Sequence, residues 1–214
     1  MKELRTQDDF ENAYSLKTIE QAKKEGLNEF VPYVEQITDL KVKDFTYCCL
    51  ENAPAYFWII PAAVSKKHHP PFAHDFGGLK KHSIVAHFFA EEYCKVMGII
   101  GLKRDYILSA VDLHDTCKRG VKNYNMRYYP IHHMLPRLRY EKYKRKHLNE
   151  DRGDFNKIMN LIENHMGSIK EGHVIKEKRP IAEDMNLHQK IVYLADYTAS
   201  RTRLDFNFEK LVSE

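Results

Sequence analysis

Apolar residues recur along most of this chain at three- and four-residue intervals, the period of helices with one buried face. Residues 7–25 carry Phe10, Ala13, Tyr14, Ile19 and Ala22 among polar neighbours, which predicts a surface helix stopped by Gly26. A shorter apolar-polar segment, Phe30 to Ile37, follows, and Lys41 to Asn52 reads as a second helix closed before Pro54. After the Gly77-Gly78 turn, Ile84, Val85, Phe88, Phe89, Tyr93 and Val96 line one face of a long helix. Ile107, Leu108, Ala110, Val111 and Leu113 are dense enough for a buried one. Phe155, Ile158, Met159, Leu161 and Ile162 make an amphipathic helix that delivers His165 at its end and stops at Gly167. A last helix spans Gln189 to Arg201. The sole strand candidate is Gly172–Lys176, so the expected fold is all-α, a single helical bundle.

Composition narrows the class. With 43 % hydrophobic and 30 % charged residues in 214, the chain is an ordinary globular protein, most simply one domain over 1–214. No apolar run is long enough for a bilayer, and the first residues have no signal-peptide core, so no membrane association is expected. Cys48, Cys49, Cys94 and Cys117 show neither metal-ligand nor disulfide spacing, which suits free thiols in a reducing, cytoplasmic setting. A net charge of +4 is too mild to argue for nucleic acid by itself, though it suits an anionic substrate. Twelve histidines are many, and they gather near a few segments.

The buried run from Ile107 ends in adjacent ionisable residues, His114 and Asp115, with Lys118 three residues on. Burying such a pair is costly unless something pairs or coordinates it, and a divalent metal does so. Upstream, Phe76-Gly-Gly-Leu-Lys-Lys-His82-Ser places a histidine in the first turn of a helix. Downstream, Asp196 follows an apolar helical run. Together these make a four-ligand set in the order His, His-Asp, Asp. His87 lies on a different side of its helix from His82 and is left without a site role. His173 and His188 read as structural or solvent-facing.

In this order the set resembles the HD-domain metal-dependent phosphohydrolase superfamily. Ile60-Pro-Ala-Ala63, His68-His69, Gly77-Gly78-Leu79 with His82, Pro130-Ile-His-His-Met134 and Asn164-His165-Met-Gly167 resemble the HD domain of bacterial 3′→5′ exoribonucleases. The likeness runs from about Ile37 to Arg201, with residues 1–36 as covering helices and 37–201 as the core. It implies a helical bundle with the metal site at its centre. His82, His114, Asp115 and Asp196 would hold one ion; His165 with His132 or His133 would hold a second, with Asp115 bridging. Adjacent residues on a helix point about 100° apart, so only one of His132 and His133 easily faces the site, and His132 is favoured.

The chemistry so implied is hydrolysis of a phosphate ester. Asp115 and Lys118 are its catalytic groups, Lys118 matching the family's HD-x-x-K lysine. Lys67, His68 and His69, on a loop stiffened by Pro70 and Pro71, and Arg201 on the last helix, are the substrate-binding candidates. A mixed imidazole and carboxylate shell suits Mn, Fe, Co, Ni or Zn, in one or two ions; Mg is less natural. The expected substrate is a nucleotide or a single-stranded RNA or DNA end. The family's exoribonucleases carry an oligonucleotide-binding domain before the HD domain, for which this chain has no room. A stand-alone nucleotidase or cyclic-nucleotide phosphodiesterase is therefore the alternative, and a non-catalytic metal-binding regulatory module a second one. Two basic, tyrosine-bearing stretches, Lys118–Tyr129 and Arg137–Lys146, are candidate polynucleotide surfaces, and a solvated helix face is the plain alternative for the latter.

Overall fold

The computed structural model describes residues 13–63, 69–121, 131–166 and 184–203. Eight α-helices occur among them: α1 (Leu16–Val34), α2 (Leu40–Glu51), α3 (Gly78–Val96), α4 (Gly101–Leu113), α5 (Leu135–Tyr140), α6 (Lys144–His147), α7 (Asp154–Glu163) and α8 (Leu187–Ala199). No strand occurs among the described residues, and the fold is all-α. The strand candidate Gly172–Lys176 lies outside the described residues.

Helix α4 is the axis of the bundle. Every residue from Asp105 to Leu113 is buried, and α2, α3, α7 and α8 all pack on it. A helix enclosed on all sides must also bury polar side chains, and each of these finds a partner. Ser109 meets the Thr46 hydroxyl of α2 at 2.7 Å, and Asp105 accepts from the Thr38 hydroxyl and the Asp39 N–H at 2.8 Å each. Tyr106 donates to Asp154 at the start of α7 at 2.5 Å. Arg152 then bridges Asp154 and Asp39, joining the N-termini of α7 and α2.

Helix α1 departs from expectation. Ser15 caps it, accepting from the Thr18 N–H, and it runs through Gly26 to Val34, absorbing the segment expected to stand apart. Gly26 does not stop the helix because it is a contact point: a Cβ there would lie 2.4 Å from Cε3 of Trp58. Its lack of a side chain lets the indole, wholly buried between Phe30 and Phe57, lie against the α1 backbone. The Tyr56–Pro61 aromatic cluster is thus core, packed on α1.

The start of α3 is equally specific. Gly77 takes a left-handed φ of +70°, and a Cβ on Gly78 would sit 2.3 Å from the Ala73 carbonyl oxygen. That crossing, with Leu79 N–H bonded to Ile60 O at 2.9 Å, sets the first turn of α3, where His82 stands. The buried face of α3 is Leu79, Ile84, Val85, Ala86, Ala90 and Cys94, rotated from the expected one. Phe88, Phe89 and Tyr93 are only half-buried and Val96 is exposed, because the small residues are the ones that admit α4 and α8 closely.

Candidate metal centre

Six side chains meet at the end of α4. His82 comes from the first turns of α3, His114 and Asp115 from the last residues of α4 and just beyond, and Asp196 from α8. His132 stands on the 3-10 turn His132–Met134, and His165 lies two residues past the end of α7. All are buried except Asp196, whose side chain keeps 25 % of its surface exposed.

The two oxygens of Asp115 face two different nests. Oδ2 lies 3.8 Å from His82 Nε2 and 3.6 Å from His114 Nε2, and these nitrogens stand 2.9 and 3.5 Å from Asp196 Oδ1. Oδ1 lies 3.2 Å from His132 Nε2 and 3.9 Å from His165 Nε2, which are 3.3 Å from one another. Ligands about 2.1 Å from one ion stand roughly 3.0–4.2 Å apart across tetrahedral and octahedral shells, so both nests have about the dimensions for an ion. The His/Asp clusters His82, His114, Asp115, Asp196 and Asp115, His132, His165 could each hold one.

Helix ends set which nitrogen points inward. The last carbonyls of a helix have no partner within it. His114 Nδ1 bonds the Val111 carbonyl and His165 Nδ1 the Ile162 carbonyl, both 2.6 Å away and both three residues back. An Nδ1–H donated to a carbonyl leaves Nε2 as a lone-pair donor aimed into the nest, the arrangement that orients metal-ligating imidazoles. By hydrogen-bond geometry, neither His114 Nε2 nor Asp115 Oδ1 has a partner, although both are fully enclosed. Buried polar atoms are rarely left so, and an ion satisfies them. The residues present fit a divalent cation.

Electrostatics point the same way. Burial opposes ionisation of Asp115, yet Lys118, His114 and His132 hold its carboxyl well below the ordinary range. Asp196 behaves alike, burial being overcome by His114 and His82. Burial, reinforced by His114, pushes His165 well below its usual value, so it is a neutral ligand across the neutral range. Lys118 Nζ sits 2.5 Å from Asp115 Oδ2 at the edge of the first nest.

A scan of protein-family models, a search of curated proteins and a search of solved structures return no match to this chain.

The substrate-binding candidates divide. Lys67 and His68 lie outside the described residues. His69 packs edge-on against His82, ring centroids 5.3 Å apart, and burial, with His82 and Lys118, pulls it down to about 3. It therefore offers a neutral imidazole, not a cation. Arg201 is exposed and folds back over its own helix, its Cζ 3.8 Å from the Tyr197 ring centroid. His133 is buried next to His132 and joins neither cluster.

The Arg137–Lys146 run breaks into α5, a 3-10 turn and α6, and its cations divide: Lys142, Arg145 and Lys146 are exposed, whereas Arg137 and Arg139 are engaged by neighbouring segments. Arg137 pairs with Glu163 at 2.5 Å, and Arg139 donates to the Asn52 and Val121 carbonyls. Their guanidiniums close helix ends and loops. Most of the Lys118–Tyr129 stretch lies outside the described residues.

His87, set aside from the sequence, is buried and meets Asp112 Oδ1 through Nδ1 at 2.8 Å. This buried pair joins α3 to α4 between the ligands His82 and His114. Its signal was a histidine on α3 and an aspartate on α4, 25 positions apart, which no local pattern connects.

Proposed function

We propose that this chain is a metal-dependent phosphohydrolase that cleaves phosphate esters of a nucleotide or a nucleic-acid end. The observation that carries this reading is the division of the Asp115 carboxylate between two nests of imidazoles and carboxylates, with an ammonium beside it. One bridging carboxylate between two cation sites is the arrangement suited to in-line displacement at phosphorus. His82, His114, Asp115 and Asp196 would hold one ion and Asp115, His132 and His165 the other. Bound there, divalent ions would supply Lewis-acid polarisation of the phosphoryl group and a more acidic water. The donor set suits Mn, Fe, Co, Ni or Zn better than Mg.

The protein's own groups contribute the rest. Asp115 uses one N–H of the Lys118 ammonium; the others are available to a phosphoryl oxygen, where positive charge offsets the growing negative charge of the transition state. His69, neutral and beside His82, suits hydrogen bonding to the ester rather than charge neutralisation. The burial of His82, His114, Asp115, His132 and His165 lowers the local dielectric, which strengthens each of these interactions. Helices α3, α4 and α8 hold the ligands before substrate arrives, so little reorganisation accompanies reaction.

The test is metal analysis of the isolated protein combined with hydrolysis of a chromogenic phosphodiester. Transition metal and hydrolysis should both be found, and both should vanish in the His114→Ala/Asp115→Ala double variant. Full activity in a metal-free double variant overturns the mechanism. Bound metal without turnover on any ester of a broad panel assigns a non-catalytic metal-binding role instead.

A further inference from the structure

Among the described residues of the two nests, Asp196 is the one that meets solvent, and a substrate can reach the site beside it. Helix α8 advances about 100° and 1.5 Å per residue, so the neighbours of Asp196 are set by arithmetic. Ala195, Val192 and Ala199 turn one way and are buried. On the other side, Tyr193 is rotated by about 60° and Tyr197 by about 100°, and Arg201, just past the end of the helix, folds back over the Tyr197 ring. These residues run from Asp196 towards the solvent-facing end of α8, Tyr193 and Tyr197 within about 5 Å of Asp196 along the axis.

The path is aromatic and cationic. The Tyr193 and Tyr197 rings lie 6.1 Å apart at 33°, and Tyr197 is 46 % exposed. The Arg201 guanidinium is held over the Tyr197 ring by bonds to the Tyr197 carbonyl at 3.0 Å and to Ser200 Oγ at 2.9 Å. A guanidinium fixed in this way has one face on the ring and the other towards solvent. Planar groups of this kind are what unpaired bases stack on, through aromatic faces and arginine planes.

We propose that Tyr193, Tyr197 and Arg201 form a stacking ledge that seats the base of the nucleotide whose phosphate lies over Asp196. This rests on the phosphohydrolase reading and deepens it: the ledge selects a nucleoside ester over a simple phosphate ester. The ridge suits a base better than an apolar helix from a second protein, because its outer end is an arginine and its inner end opens on an anion site.

The test compares thymidine 5′-(p-nitrophenyl phosphate) with methyl p-nitrophenyl phosphate, which share a leaving group and differ in the nucleoside. The ratio of kcat/KM between them should favour the nucleoside ester by about ten-fold, in line with stacking on one aromatic side chain. It should fall to near unity in Tyr197→Ala and Tyr193→Leu, and return in Tyr197→Phe, which keeps the ring. Calorimetric titration of metal-free protein with thymidine 5′-monophosphate and deoxyribose 5-phosphate should show the same preference without turnover. Equal binding of these two ligands, or a preference that survives Tyr197→Ala, overturns the ledge. Hydrolysis of both esters without preference removes the ledge and leaves the phosphohydrolase reading. No hydrolysis of either by metal-loaded protein removes both. A wild-type dimer that Tyr197→Ala converts to monomer, with base preference intact, assigns the ridge to contacts between copies and overturns the proposal.

Discussion

The two nests share a carboxylate but are supported differently. The first takes its ligands from α3, α4 and α8, helices of 19, 13 and 13 residues that pack on one another through the centre of the bundle. The second takes His132 from a three-residue 3-10 turn and His165 from just beyond α7. In the first, ligand distances follow from how whole helices cross. In the second, they follow from how two chain ends are tied, for His165 by one bond to the Ile162 carbonyl. Disturbing the second nest should therefore leave the first intact, whereas the reverse should not hold.

The strongest test removes what both nests share. Asp115→Ala should empty both and lower phosphodiester hydrolysis by at least about a thousand-fold, since several kcal/mol of transition-state stabilisation depend on the ions. Elemental analysis and initial rates would measure this, and an ion retained near one equivalent would break the idea of a shared bridge.

A smaller effect separates the nests. His165→Ala should cost one equivalent of metal and leave the other in place, with little change in Tm. His82→Ala should weaken binding in both, because it loosens the side on which α3, α4 and α8 meet. Equal losses from the two variants would erase the distinction.

Packing offers a third probe. Gly78→Ala places a Cβ against the Ala73 carbonyl, an overpacking that should cost about 1–3 kcal/mol and a corresponding drop in Tm. Because His82 follows on the same helix, affinity at the first nest should fall and carry the second down with it, as competition with a chelator would show.

The smallest effect concerns acid. Hydrogen bonding from Arg152 holds Asp39 below the ordinary carboxyl range. A carboxyl depressed in the folded state stabilises above its unfolded pKa, about 3.9, and that share is lost as pH falls through the folded value. The pair is partly exposed, so its share is under about 1 kcal/mol. Asp39→Asn should flatten the acid limb of the unfolding profile slightly below pH 4. An unchanged limb would detach this link between α2 and α7, the helix carrying His165, from stability.

Much of the centre was legible in the chain itself. His114 and Asp115 close a run of apolar residues, and no solvent-facing role accounts for an ionisable pair there. His82 after Gly77-Gly78, Asp196 after its apolar run and His165 at a helix end all sit where periodicity directs side chains inward. Other positions misled for physical reasons. Gly26 has the same composition signal whether it ends a helix or admits an indole, and only the position of Trp58 separates the two. In the basic run from Arg137, Lys142, Arg145 and Lys146 face solvent, while Arg137 and Arg139 are engaged by Glu163 and by backbone carbonyls from distant segments. His87 needed Asp112 to acquire a role.

By itself, then, the sequence determined the helical class and that the site's histidines and aspartates turn inward, because a 3.6-residue period and the cost of burying charge act within a few neighbouring residues. The tertiary structure alone decided how far these groups stand from the two oxygens of Asp115, that His87 pairs with Asp112, and that Tyr193, Tyr197 and Arg201 lie beside Asp196. Those are distances between helices far apart in the chain, set by which small residues let the helices approach, and no local pattern encodes them.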